Sequence, residues 1–107
     1  MYSRYKGDVM LTKIISGKEV EKNKDYFDII DVRTKEEYDL GHVKGAINIP
    51  FDEILDNLDK INKDNPTILY CKSNRRSEFA ALALQSSGYT NIYIGDGVDL
   101  YDYDLVK

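Results

Sequence analysis

The sequence predicts an α/β domain, a central parallel β-sheet with helices on both faces. Three observations predict it. Short apolar runs alternate with helix-period segments along the chain. Several runs are too continuously apolar for half-exposed strands, as strands covered on both faces require. Ser or Thr stands three residues before Glu at two places where a helix should begin. At 107 residues and 42% hydrophobic content the chain suits a single domain, 1–107, with one core. Residues 1–9 read as an N-terminal extension.

The elements follow in order. Met10 to Ile15 reads as a short first strand. Ser16 with Glu19 is a capping-box pattern opening a helix that fades by Lys24. Tyr26 to Val32 is a buried strand, with Phe27, Ile29, Ile30 and Val32 almost continuous. Thr34 with Glu37 repeats the capping box, and Gly41 stops that helix. Ala46 to Ile49 is a brief strand ended by Pro50. Phe51 to Ile61 is helical, with Ile54, Leu55, Leu58 and Ile61 at core spacing. Asn65-Pro66 turns the chain into Ile68, Leu69 and Tyr70, a strand ending at Cys71. Ser77 opens a helix-period segment with Phe79, Leu82, Ala83 and Ser86 on one face, and Gly88 ends it. Asn91 to Ile94 is the last strand, and Val98 to Lys107 reads as a final helix. No internal repeat or linker interrupts the series.

The chemistry concentrates at Cys71, the only cysteine. A strand–loop–helix turn aims several backbone N–H groups into one small space, with the positive end of the helix behind them. Such a nest holds anions, a thiolate among them. Lys72, Arg75 and Arg76 add three cations to this loop in a chain of net charge −4. A packing cysteine would not be followed at once by Lys-Ser-Asn-Arg-Arg, so a reactive thiol is the better reading. The acidic balance argues against nucleic acid or an anionic membrane as the main partner. One cysteine excludes an internal disulfide, which fits a reducing compartment. No apolar stretch approaches 18 residues and no signal core opens the chain, so the expected location is cytoplasmic. One His and one Cys cannot build a metal site, and no cofactor is expected.

Two motifs carry a family resemblance. From Cys71 to Ser77 the loop runs Cys, four residues, Arg, Ser, and it resembles the active-site loop of rhodanese-type sulfurtransferases. Upstream, DVRTKEEYDLGHVKGAINIP, from Asp31 to Pro50, is similar to that family's other signature. GYTNIYIGDG, from Gly88 to Gly97, resembles its last strand and glycine turn. The resemblance covers roughly residues 13 to 98. It implies that Cys71 attacks the outer sulfur of an anionic donor such as thiosulfate, releases sulfite and carries a persulfide to a thiol or protein acceptor. The persulfide would be held by the N–H groups of Lys72, Ser73, Asn74, Arg75, Arg76 and Ser77, with Arg76, then Lys72, then Arg75 ranked as donor-binding cations. It also implies that the Asp31 and Cys71 strands are neighbours, which puts Arg33 within range of the pocket. A structural Asp31–Arg33 pair is the better reading, as is a structural turn for His42.

Three features depart from the family pattern. Asn74 stands where the family often has Gly, so Asn should fill a left-handed position. The glycine turn is Gly95-Asp96-Gly97 rather than an adjacent pair. A C-terminal tryptophan is missing, and Tyr101 or Tyr103 should take its packing place. The competing functions are a cysteine-dependent phosphatase or arsenate reductase of the same fold, a non-catalytic binding module, and a protein-to-protein sulfur carrier. Phosphatases of this fold have five residues between Cys and Arg, against four here, which favours sulfur over phosphorus. The presence of Cys71 counts against the binding module.

Overall fold

A computed structural model describes residues 12–107. The N-terminal extension, and Met10 and Leu11 of the expected first strand, lie outside the described residues. In chain order the elements are β1 (Lys13–Ile15), α1 (Gly17–Asn23), β2 (Asp28–Asp31), α2 (Lys35–Leu40), β3 (His42–Val43) and β4 (Ile47–Asn48). A 3₁₀ segment (Phe51–Lys60), β5 (Thr67–Tyr70), α3 (Arg75–Ser86), β6 (Ile92–Gly95) and β7 (Leu105–Val106) complete the chain. β1-β6-β5-β2-β4 form a five-stranded sheet, and every pairing in it is parallel.

The sheet is covered on both faces, and side-chain alternation along the strands separates the two layers. Ile30, Val32, Leu69, Cys71, Ile92 and Ile94 pack with the 3₁₀ segment and α3 on one side. Ile29, Ile68 and Tyr70 pack with Val20 of α1, Tyr38 of α2 and Tyr103 on the other. β5 lies between β2 and β6 and is buried at all four positions. This accounts for the unbroken apolar run before Cys71.

Local signals set the helix ends. Ser16 Oγ accepts from the Glu19 N–H at 3.2 Å, and Thr34 with Glu37 forms a complete capping box. Gly41 closes α2.

Three sequence expectations need correction: one element, the buried face of α3, and the core position expected of Leu55. Val98 to Lys107 is not a helix. It turns at 97–101 and ends as β7, antiparallel to β3 with His42 opposite Val106. Along α3 the buried positions are Ser77, Ala80, Ala81 and Leu84, while Phe79 and Leu82 stay exposed. Small residues let α3 lie close to the sheet, so its larger apolar side chains are left outside. The 3₁₀ segment is kinked at Asn57; Ile54 and Ile61 are buried, Leu58 partly, and Leu55 is exposed.

Candidate functional site

After β4 the chain crosses back to place β5 on the opposite side of β2 from β4. In an open parallel sheet such a reversal opens a crevice beyond the carboxyl ends of the strands. Two loops flank it here, one following Asp31 and one beginning at Cys71. Asp31 pairs in register with Tyr70, the residue before Cys71.

The loop brings its own backbone onto the sulfur. The Ser77 N–H points at Cys71 Sγ from 3.4 Å, and the thiol faces Ser77 Oγ at 3.5 Å. Ser77 is the third residue of α3, so the sulfur sits at the positive end of a twelve-residue helix. Asn74 takes the left-handed conformation expected of it, at φ 74°. Its carbonyl accepts from Ser77 Oγ at 3.0 Å and from the Glu78 N–H at 3.0 Å.

The C-terminal segment clamps the loop from outside. Gly97 N–H donates to Asn74 Oδ1 at 2.8 Å, Val98 N–H to the Cys71 carbonyl at 3.0 Å, and Asp99 N–H to the Lys72 carbonyl at 2.9 Å. Of the two tail tyrosines, Tyr103 is the buried one. It is buried between Tyr70 and Tyr101, and its hydroxyl donates to the Asp96 carbonyl. Cys71 itself is 1% exposed.

The cations divide into two sets. Arg33 is buried against Asp31, with Nη2 at 2.7 Å from the carboxylate and also donating to the Gly41 carbonyl. Tyr70 donates to the same carboxylate at 2.8 Å and accepts from the Val43 N–H. Burial disfavours the Arg33 charge, and the Asp31 hydrogen bonds and charge outweigh it, leaving the guanidinium above its ordinary value. Arg76, ranked first among donor-binding cations, is held by Glu37 at 2.7 and 3.1 Å through its two terminal guanidinium nitrogens. Lys72 and Arg75 are exposed and form no ion pair with another described residue. Lys72 lines a groove of about 220 Å³ with Arg33, Glu37, Gly41, Asp99 and Leu105. His42 stacks on Tyr38 with ring centroids 3.7 Å apart, and its Nδ1 lies 2.9 Å from the Tyr38 carbonyl, the geometry of a structural turn.

Residues 16–97 match the family model of the rhodanese-like domain. The chain belongs to the rhodanese-like family. Thiosulfate sulfurtransferase PspE of Escherichia coli (strain K12) is 39% identical over 71 residues, or 64% of this chain and 68% of that one. The YqhL protein of Bacillus subtilis (strain 168) is 42% identical over 65 residues, 61% of this chain. The chain spans about half the length of that relative, 52%. A solved structure described as a rhodanese with anions from Escherichia coli superposes with a TM-score of 0.68 at 34% identity, covering 75% of this chain and 96% of that one.

In this rhodanese-like domain no group of three or more His, Cys, Asp or Glu side chains converges as a metal site among the described residues. No described helix is long and apolar enough to cross a membrane. Glu37 is the site residue that the chemistry of the loop did not single out. Its marks in the sequence are its place in the Asp31–Pro50 signature and the third helical position after Thr34, and neither says anything of a partner on α3.

Arg76 hydrogen bonding, reinforced by Thr34 and opposed by burial, draws the Glu37 carboxyl down from an ordinary 4.5 to about 2. A carboxylate lowered in the folded state stabilises the fold above its unfolded value, and this contribution is lost as pH falls through the folded one. The wild type should therefore melt above Glu37→Gln at pH 6, with the difference shrinking between pH 4.5 and about 2. Thermal melts of both proteins across that range check it; a constant difference would mean Glu37 carries no linked charge.

Proposed function

We propose that this chain is a sulfurtransferase that moves sulfane sulfur from a small anionic donor, thiosulfate being the model, to a thiol acceptor through a persulfide on Cys71. The observation that carries the reading is the Cys71 sulfur at a strand end, facing the Ser77 N–H at 3.4 Å in the first turn of α3. The 39% identity to a thiosulfate sulfurtransferase supports the choice of donor.

In the first step the Cys71 thiolate attacks the outer sulfur of thiosulfate. A new S–S bond forms, the bond to the sulfonate breaks, and sulfite leaves with the electron pair. The terminal persulfide sulfur carries the negative charge, and N–H donors from Lys72 to Ser77 stabilise it where it develops. In the second step an acceptor thiolate, or cyanide in an assay, attacks that terminal sulfur and Cys71 leaves as thiolate. No general base is required once the cysteine is ionised. Lys72 and Arg75, unpaired among the described residues, supply positive charge to steer the donor. Asp31 and Arg33 hold the neighbouring loop rather than the substrate.

The experiment is thiocyanate production from thiosulfate and cyanide by the wild type and by Cys71→Ser. The wild type is expected to turn over and the variant to fall to the uncatalysed rate. Turnover by the serine variant would reject the reading.

A further inference from the structure

We infer that Glu37 sets the charge selectivity of the Cys71 site, by neutralising Arg76 and so holding back dianionic donors relative to monoanionic ones. The inference rests on the sulfur-transfer reading and concerns a residue on α2, outside the loop.

Geometry makes Glu37 a fixed counter-charge. Its Oε1 also accepts from the Thr34 N–H and the Thr34 hydroxyl, each at 3.1 Å. The carboxylate is therefore anchored to its own helix independently of Arg76. Arg76 arrives from α3, and the two prongs at 2.7 and 3.1 Å fit a guanidinium to a carboxylate side by side. The Glu37 hydrogen bonds are the main reason Arg76 is held above its ordinary value, and the charge of Cys71 also contributes. Arg76 is joined by one peptide bond to Ser77, the residue whose N–H faces the sulfur at 3.4 Å.

The consequence is a charge count at the mouth. Arg33 is neutralised by Asp31 and Arg76 by Glu37, which leaves Lys72 and Arg75 as the unpaired cations of the loop among the described residues. Removing the Glu37 charge while keeping its shape raises that count by one. The energy of an added cation scales with the ligand's charge, so a dianion responds as the square of a monoanion's fold-change.

Glu37→Gln is the variant of choice, because Gln also serves at this capping position. Its effect should be read as affinity for thiosulfate and for 3-mercaptopyruvate, by titration calorimetry on a Cys71→Ser background. KM on the intact-cysteine proteins provides a second reading. At low ionic strength thiosulfate should bind about five- to tenfold tighter and mercaptopyruvate about two- to threefold. Both gains should vanish near 1 M salt, where the screening length is about 3 Å. Glu37→Gln/Arg76→Gln should return thiosulfate affinity to within about twofold of the parent. Glu37→Ala, which deletes the cap as well, should show the same tightening, since charge and not capping produces it.

Unchanged or weakened thiosulfate binding in folded Glu37→Gln and Glu37→Ala would overturn the inference and leave the pair as a strut between α2 and α3. Persulfide formation by the wild type with no selectivity change in the variants would reject this inference alone. A selectivity change without any wild-type persulfide would reject sulfur transfer and keep the charge role.

Discussion

Asp31→Ala should lower the unfolding free energy by about 3–5 kcal/mol, the usual cost of removing one partner of a buried pair. Asp31 is fully buried and Arg33 is 6% exposed, so the truncation leaves a guanidinium without its counter-charge inside the protein. The same carboxylate also accepts from the Arg33 N–H at 2.9 Å and from the Tyr70 hydroxyl. Those donors lose their acceptor together, although Tyr70 keeps its bond from Val43. Against a total stability of roughly 5–15 kcal/mol for a domain, such a loss should bring the denaturant midpoint down steeply. Asp31→Asn, which keeps shape and an acceptor, should lose less. Urea titrations of the three proteins check this; a loss under about 1 kcal/mol for Asp31→Ala would mean that Arg33 escapes to water.

Gly97→Ala should damage the site directly. A Cβ on Gly97 would lie 2.2 Å from the Lys72 carbonyl oxygen, 2.4 Å from its carbon and 2.8 Å from the Ser73 nitrogen. All three atoms are backbone of the Cys71 loop, so no side chain can swing aside. Either the loop or the 97–101 turn must move, and the bond from the Gly97 N–H to Asn74 is strained or lost. Overpacking of this kind costs about 1–3 kcal/mol. Displacing the N–H groups by about 1 Å from the persulfide should slow its formation on the order of 100-fold. Stopped-flow measurement of sulfite release, beside a thermal melt, separates the two effects. Wild-type rates in Gly97→Ala would show that the turn yields without disturbing the loop.

What could be read from the chain depended on how local the cause was. The strand into Cys71 was legible because Ile68, Leu69 and Tyr70 are buried on both faces of the sheet. The caps at Ser16 and Thr34 were legible because their partners lie three residues away. Asn74 was legible as a left-handed residue only through the family resemblance, because it stands where the family often has Gly. The tail was misread, although Tyr101, Tyr103 and Leu105 alternate with Asp and carry a strand's period of two. Its pairing partner, His42–Val43, is more than sixty positions upstream. Distance also hid the fate of Arg76. Its charge suggested a donor-binding residue, and the carboxylate that takes up that charge sits 39 residues earlier on another helix. Burial hid the outer face of α3, because nothing in the spacing of Phe79 and Leu82 tells them from Ala80, Ala81 and Leu84 until the sheet is in place.

The measurement closest to the central claim is the intact mass of the protein after thiosulfate, with Cys71→Ser beside it. The wild type should gain the mass of one sulfur atom and lose it again on addition of cyanide, while Cys71→Ser gains nothing. A wild type that gains no sulfur, or a serine variant that gains the same amount, would contradict a persulfide on Cys71.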